Sequence, residues 1–193
     1  MGKLDKHYTA LAIWLLSLAA ITMLVRAADK PDAKLLQRGE YLANISGCHD
    51  CHTVLKMGPN GPEREMTSKL SGHPQALMMP AAPTLPQGPW MGIFSATMTA
   101  WAGPWGVSFS RNLTPDKETG LGEWSEEDFL NTIATGRRLG KGRPILPPMP
   151  IEALQKSSLE DRRALFAYLQ SIPAIKNLVP EPLAPDTPAP GTK

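Results

Sequence analysis

Apolar side chains recur at helical spacing in three stretches of the chain, and these predict three helices. The first covers residues 33–46, the second begins at Ser125, and the third begins at Ser158. A serine with an acidic residue three positions later is typical of a capped helix start. Gly136 and Pro173 end the second and third helices. The apolar positions that set the spacing are Leu35, Leu36, Leu42, Ala43, Phe129, Leu130, Ile133, Leu165, Tyr168, Leu169 and Ile172.

A different apolar pattern occupies the start of the chain, where 18 consecutive residues, Tyr8–Val25, carry no charge. As a helix this run is about 27 Å long and just reaches across a hydrocarbon core of about 30 Å. Lys3 and Lys6 precede it, which places the N-terminus in the cytoplasm and the remainder outside. A cleaved signal peptide is the alternative, and both hypotheses export the rest of the chain. We therefore assign residues 1–28 to a membrane anchor or signal segment.

Residues Gly58–Gly106 show little periodicity and are rich in proline, glycine and methionine, as in MMPAAPTLPQGPWMG. An irregular stretch of this length inside a compact domain is uncommon and is often functional. Its Met, Trp and Leu content predicts that it packs against the domain, because disordered segments are poor in such residues. We expect a long irregular insertion with almost no β structure.

Composition and charge refine this picture. The chain has 193 residues, of which 42% are apolar, so one domain with a packed core is expected. Many of its 20 prolines indicate loops. A proline-rich end predicts a disordered tail over residues 179–193, which leaves 33–178 as the folded domain. The net charge of +2 is too small to indicate nucleic-acid binding.

The two cysteines lie together in SGCHDCHTV, where Cys48, Cys51 and His52 form the pattern C-x-x-C-H. This is the attachment pattern of c-type haem. Two cysteines three residues apart can reach both vinyl groups of one porphyrin and form thioethers, and the next histidine is then held beneath the iron. We therefore predict one covalent haem c, tethered by Cys48 and Cys51 and ligated by His52, with His49 as a bystander.

The sequence leaves three other roles for these residues possible. Thiols outside the cytoplasm tend to pair, so Cys48 and Cys51 could form a disulfide. A zinc site would need His49 and His73 to complete its four ligands. A thioredoxin-like C-x-x-C would need a βαβ context. Agreement between the motif, the exported compartment and the neighbouring helix favours haem.

Haem iron has two axial positions, and the sequence offers several candidates for the second. Met149 lies 97 residues beyond His52, in Pro147-Pro148-Met149-Pro150. Each proline fixes φ and removes an N–H, so this methionine would sit on a stiff strap with few donors to bury. We predict Met149 as the sixth ligand, the alternative being a loop in which it only packs. The remaining candidates are His73, Met57, Met66, Met78, Met79, Met91 and Met98.

With this motif, a methionine loop and flanking helices, residues 33–177 resemble class I c-type cytochromes. RGEYLA at 38–43 is similar to that family's N-terminal helix, and LFAYL at 165–169 to its C-terminal helix. The resemblance implies an all-α fold in which these helices pack beside a covalently bound haem, here with a long irregular insertion and an N-terminal transmembrane or signal helix. NLTPDKETGLGEW at 112–124, with PPMP, is similar to cytochrome modules that serve membrane-bound periplasmic alcohol, aldehyde and sugar-acid dehydrogenases.

Two groups of polar residues are candidates for the surroundings of this haem. Trp105, Arg111 and Asn112 carry N–H donors that suit haem propionates, or they belong to a surface turn. A basic loop before the methionine strap could dock an acidic partner, or could simply be solvated. The basic loop contains Arg137, Arg138, Lys141 and Arg143.

These assignments predict an electron carrier rather than an enzyme. Ligation by His and Met raises the potential of the Fe(II)/Fe(III) couple relative to thiolate or bis-histidine ligation. The expected donor is a periplasmic dehydrogenase or a quinol-oxidising complex, and the expected acceptor is a terminal oxidase. The expected location is the periplasmic side of the bacterial inner membrane, with the N-terminal helix as anchor, or free in the periplasm if that helix is cleaved. The alternatives are a haem enzyme or gas sensor with a displaceable sixth ligand, and a structural haem subunit of a larger respiratory complex.

Overall fold

The computed structural model describes residues 32–85 and 88–185. This part of the chain contains five α-helices and two small antiparallel sheets. The helices are α1 (Ala33–Ile45), α2 (Cys48–His52), α3 (Glu126–Thr135), α4 (Ile151–Gln155) and α5 (Leu159–Ser171). The strands are β1 (Leu55–Gly58), β2 (Gly61–Arg64), β3 (Ile93–Phe94), β4 (Ala100–Gly103) and β5 (Gly106–Phe109).

The three long helices lie where the sequence predicts them, because local signals set their ends. At the start of α3, the Asp128 amide donates to Ser125 Oγ at 3.1 Å, and the Ser125 amide donates back to the Asp128 carboxylate at 3.0 Å. Gly136 ends that helix with φ 65°, a left-handed conformation that suits glycine. Ser158 caps α5 by accepting from the Asp161 amide at 3.0 Å.

Helices α1 and α5 cross at Gly39. A Cβ at this position would overlap the main-chain oxygen of Ala164 and the Cβ of Tyr168, so only glycine permits so close an approach. Arg38 and Asp161 join the same two helices through an ion pair of 2.8 Å. The contact between the first and last helices that the resemblance implies is therefore present.

Replacement of Gly39 by alanine is expected to destabilise the domain, because the methyl group must displace main-chain atoms of α5. Overpacking typically costs about 1–3 kcal/mol, and the better helix propensity of alanine offsets up to ~1 kcal/mol of this. Chemical denaturation measures the difference. Gly88→Ala is the control, because a Cβ there meets no atom within 4 Å. Equal midpoints for both variants would contradict the close crossing.

The prediction of an all-α fold is wrong, because the supposed irregular insertion contains most of the two sheets. Strands β1 and β2 form a hairpin, and β3, β4 and β5 form a three-stranded sheet in that order. The register of the second sheet places Trp101 opposite Ser108. These strands are two to four residues long, too short to give a readable alternation of apolar and polar residues.

Glycine occupies equivalent positions in two hairpins, β1–β2 and β4–β5. Gly61 has φ 116° and Gly106 has φ 89°, conformations that residues with a Cβ rarely adopt. Gly61 follows the two loop residues of the first hairpin, Pro59 and Asn60, and Gly106 follows those of the second, Pro104 and Trp105.

The main core lies between α1, α3 and α5. Phe129 and Phe166 pack with ring centroids 5.2 Å apart, and Leu169 is 2% exposed. A smaller cluster of Ala100, Phe109 and Val179 lies against the second sheet. The sheet is thus packed against the domain rather than solvated on both faces.

Two sequence predictions concern the ends of the chain. The predicted tail begins at residue 179, but residues 179–185 contact the domain, where Leu183 and Val107 exchange two backbone hydrogen bonds of 2.9 Å. The rest of that tail, 186–193, lies outside the described residues. Within 32–85 and 88–185, no helix has the length and apolar character that crossing a membrane requires. The predicted anchor, Tyr8–Val25, lies outside the described residues.

Candidate functional site

Helix α2 carries the C-x-x-C-H motif, and four of its five residues line one cavity: Cys48, Asp50, Cys51 and His52. The chain enters it through Gly47, which adopts the left-handed conformation at φ 67°. Positions 48, 51 and 52 share a helical face, and Cys48, Cys51 and His52 all line the cavity. His49 is not among the lining residues, and its Nδ1 lies 3.0 Å from Thr53 Oγ1.

The imidazole of His52 is buried and has one fixed hydrogen bond. Its Nδ1 lies 2.7 Å from the main-chain oxygen of Arg111, which can only accept, so Nδ1 carries the proton. Burial lowers the pKa of His52, although this hydrogen bond acts in the opposite direction. The ring is therefore neutral at pH 7, with the lone pair of Nε2 available to a metal.

Both cysteines are free thiols. Burial raises the pKa of Cys48 to about 11 and also raises the pKa of Cys51, so both are protonated at neutral pH. The described residues hold no cluster of three or more His, Cys, Asp or Glu suited to a metal ion. All paired strands in the two sheets are antiparallel, so the βαβ context of a thioredoxin-like motif is missing from them.

Met149 lines the same cavity as the motif. Its strap, Pro147–Pro150, contains a cis peptide bond between the first two prolines. The strap is held from two sides, because Ser108 Oγ donates to the Pro147 oxygen at 2.6 Å and the Ile151 amide donates to the Met149 oxygen at 2.8 Å. The fold thus brings the two halves of the predicted site to one place.

The other candidates for a sixth ligand lie elsewhere. His73 is fully buried away from the cavity, with Nδ1 2.9 Å from Thr99 Oγ1 and Nε2 3.0 Å from the Leu77 oxygen. Among the methionines that the structure describes, Met149 is the one that lines the cavity. Of the others, Met57, Met66, Met78 and Met91 are exposed.

His73 is expected to make stability depend on pH. Burial lowers its pKa below the ordinary value of 6.5, whereas in the unfolded chain it titrates near that value. Stability is therefore fully present above about pH 6.5 and is lost as pH falls through the lower pKa of the folded state. Thermal denaturation between about pH 8 and 5 measures this slope, which should flatten in His73→Gln. An unchanged slope in that variant would contradict the assignment.

The cavity itself has a volume of about 580 Å³, within the range of small-molecule sites. One wall is apolar and belongs to the main core. The polar part of the lining, here called the polar edge, includes Arg111, Arg138 and Arg143, two of them from the predicted basic loop. The apolar wall consists of Leu113, Leu121, Phe129, Ile133, Leu165 and Leu169.

The residues proposed for propionate contacts separate into different roles. Arg111 lines the cavity, whereas Trp105 does not. Asn112 also lines it, but its amide is committed to the fold, since Nδ2 donates to the Ile175 oxygen at 2.8 Å and Oδ1 accepts from Thr114. Sequence reasoning missed Trp101, which lines the cavity and whose buried Nε1–H has no partner among the described residues. Its position opposite Ser108 becomes visible only once the sheet is known.

Comparisons with known proteins give a consistent set of relatives. No family model matches the chain. The chain is 31% identical over 84% of its length to the gluconate 2-dehydrogenase cytochrome c subunit of Pantoea cypripedii. It is 28% identical over 89% of its length to the cytochrome c subunit of the quinone-dependent alcohol dehydrogenase of Gluconobacter oxydans. It is 28% identical over 70% of its length to the fructose dehydrogenase cytochrome subunit of Gluconobacter japonicus.

The chain covers 28%, 28% and 21% of these three proteins, so it spans about a quarter of the length of the curated relatives it matches. The resemblance drawn from the sequence is confirmed: the chain is similar to cytochrome c modules associated with dehydrogenases.

Proposed function

We propose that the chain holds one haem c in this cavity and acts as a periplasmic electron carrier. Cys48 and Cys51 would hold it through thioethers, and His52 and Met149 would ligate its iron. One observation carries the proposal: the two thiols and the neutral imidazole of one short motif line the same cavity as the thioether of Met149, which is distant in sequence.

The residues that line the cavity are chemically suited to a haem. The apolar wall suits a porphyrin face, and the polar edge supplies the guanidinium groups of Arg111 and Arg143 for carboxylates. The unpartnered Nε1–H of Trp101 is a further donor for an anionic group. Cys48 and Cys51 would each supply a thiol for addition across a vinyl group, with sulfur on one carbon and hydrogen on the other, so attachment would need no oxidant.

A haem would supply a one-electron Fe(II)/Fe(III) couple. The protein's part is to hold the residues around the haem in one arrangement in both oxidation states. The hydrogen bond from His52 to the Arg111 oxygen fixes the tautomer and orientation of the ring. The proline strap, bound by Ser108, restricts Met149 in the same way.

The relatives support a dehydrogenase as the electron donor, because their names describe cytochrome subunits of gluconate, alcohol and fructose dehydrogenases. We propose that the chain receives electrons from such an enzyme, as a subunit or a bound partner, and delivers them to a terminal oxidase. No observation favours a gas sensor, since His73 lies outside the cavity with both ring nitrogens hydrogen-bonded.

The test isolates the chain with its haem attached, together with the dehydrogenase that co-purifies. Gluconate, ethanol and fructose are then added in turn while the haem spectrum is recorded. We expect one substrate to reduce the haem as fully as dithionite does. Reduction by dithionite but by none of the substrates would overturn the proposed donor, and a chain without covalent haem would overturn the cofactor assignment.

A further inference from the structure

The segment that follows α5 fixes the main chain beneath the predicted haem ligand. Asn112 Nδ2 donates to the Ile175 oxygen at 2.8 Å. Arg111 Nη1 donates to the Val179 oxygen at 3.3 Å and to the Pro180 oxygen at 3.0 Å. The carbonyl of this same arginine accepts the proton of His52. The C-terminal segment is therefore connected to the imidazole through a single residue.

Glu181 adds a charge to this connection. Its Oε1 lies 3.1 Å from Arg111 Nη2, and its Oε2 lies 3.4 Å from Arg143 Nε. Both arginines line the cavity, and so does Pro182, the neighbour of Glu181. The carboxylate and the two guanidinium groups together carry one net positive charge, and without Glu181 the two arginines would carry two. Arg138, which also lines the cavity, adds a further positive charge.

On the basis of the proposed haem site, we propose that Glu181 is a positioning residue that also adjusts the reduction potential. It holds the guanidinium groups of Arg111 and Arg143 at the cavity edge and keeps the Arg111 carbonyl beneath His52. Positive charge beside the iron favours Fe(II) over Fe(III), so the carboxylate lowers the reduction potential by compensating part of that charge.

The test compares reduction potentials of the haem-loaded protein and its Glu181→Gln variant, which keeps the shape of the side chain but not its charge. We expect the variant to favour the reduced form by about two- to fivefold, the range of an exposed charge interaction. That change corresponds to an upward shift of about 20–40 mV, at about 59 mV per tenfold for one electron. The shift should shrink in high salt, because the Glu181 side chain is 66% exposed.

Two further variants separate charge from structure. Glu63→Gln removes the same charge from the β1–β2 hairpin, none of whose residues lines the cavity, and should leave the potential unchanged. Glu181→Asp keeps the charge and should remain close to the unsubstituted protein. An unchanged potential in Glu181→Gln, or an equal shift in Glu63→Gln, would overturn the electrostatic role.

Hydrogen exchange gives a second readout that does not require haem. The amides of Val107 and Leu183 donate to each other's carbonyl oxygens at 2.9 Å, next to Glu181. We expect both amides to exchange faster in Glu181→Gln, and unchanged exchange would overturn the positioning role. If the chain proved to lack covalent haem, the proposed function would fall, while hydrogen exchange would still decide whether Glu181 holds this segment.

Discussion

Replacement of both Cys48 and Cys51 by alanine is expected to abolish the covalent attachment of haem. The unsubstituted chain should retain one haem on a denaturing gel, and the double variant none, because both predicted tethers line the cavity as free thiols. Each single variant keeps one thiol and should retain less haem than the unsubstituted chain. Haem staining and the mass of the denatured chain measure this directly.

His49→Ala is the matched control for these variants. His49 lies between the two cysteines in α2, but it does not line the cavity, and its ring contacts Thr53. Haem attachment should therefore survive its replacement. Unchanged staining of the double cysteine variant would refute the tether. Loss of haem in His49→Ala would show that attachment also requires a residue of α2 that does not line the cavity.

Replacement of Met149 by alanine is expected to leave haem attachment intact and to open the sixth coordination position. The methionine–iron charge-transfer band of the oxidised spectrum should disappear, and the reduced protein should bind carbon monoxide. The reduction potential should fall by on the order of 0.1 V, a small part of the ≈ 0.8 V over which axial ligands set haem potentials.

Met66→Ala provides the comparison, because Met66 is 53% exposed and does not line the cavity. Its spectrum and potential should match those of the unsubstituted protein. If the charge-transfer band persisted in Met149→Ala, another methionine would be the ligand. If the unsubstituted reduced protein bound carbon monoxide readily, stable ligation by Met149 would be contradicted.

Sequence reasoning located the helices because their signals are local. The capping serines Ser125 and Ser158 and the terminal glycine Gly136 act within one turn of the helix ends they define. The C-x-x-C-H motif is local in the same sense, since one helical turn is enough to place Cys48, Cys51 and His52 on a common face. No local pattern places Met149 beside this motif. That prediction rested only on the need of haem iron for a second axial ligand.

The sheets were missed because their pairing depends on contacts distant in sequence. A strand such as β3 contains two residues, and nothing in Ile93-Phe94 indicates that it will pair with β4. Trp101 was overlooked for this reason, because strand pairing places it opposite Ser108. The bond from the Asn112 amide to the Ile175 oxygen is a separate long-range contact, between residues 63 positions apart. Residues 179–185 likewise contact Arg111 and β5, which are distant in sequence. The proline content of this segment, from which a disordered tail was predicted, carries no information about such contacts.

Strand β5 and the residues just after it contact both sides of the cavity. The hydroxyl of Ser108 bonds the strap that carries Met149, and the carbonyl of Arg111, three residues later, bonds His52. Residues 108–111 thus connect the strap that carries Met149 to the carbonyl that bonds His52. If these two residues ligate one iron, as proposed, this short piece of backbone would set the distance between them. A change in its length would then alter the coordination of the iron before it unfolds the domain.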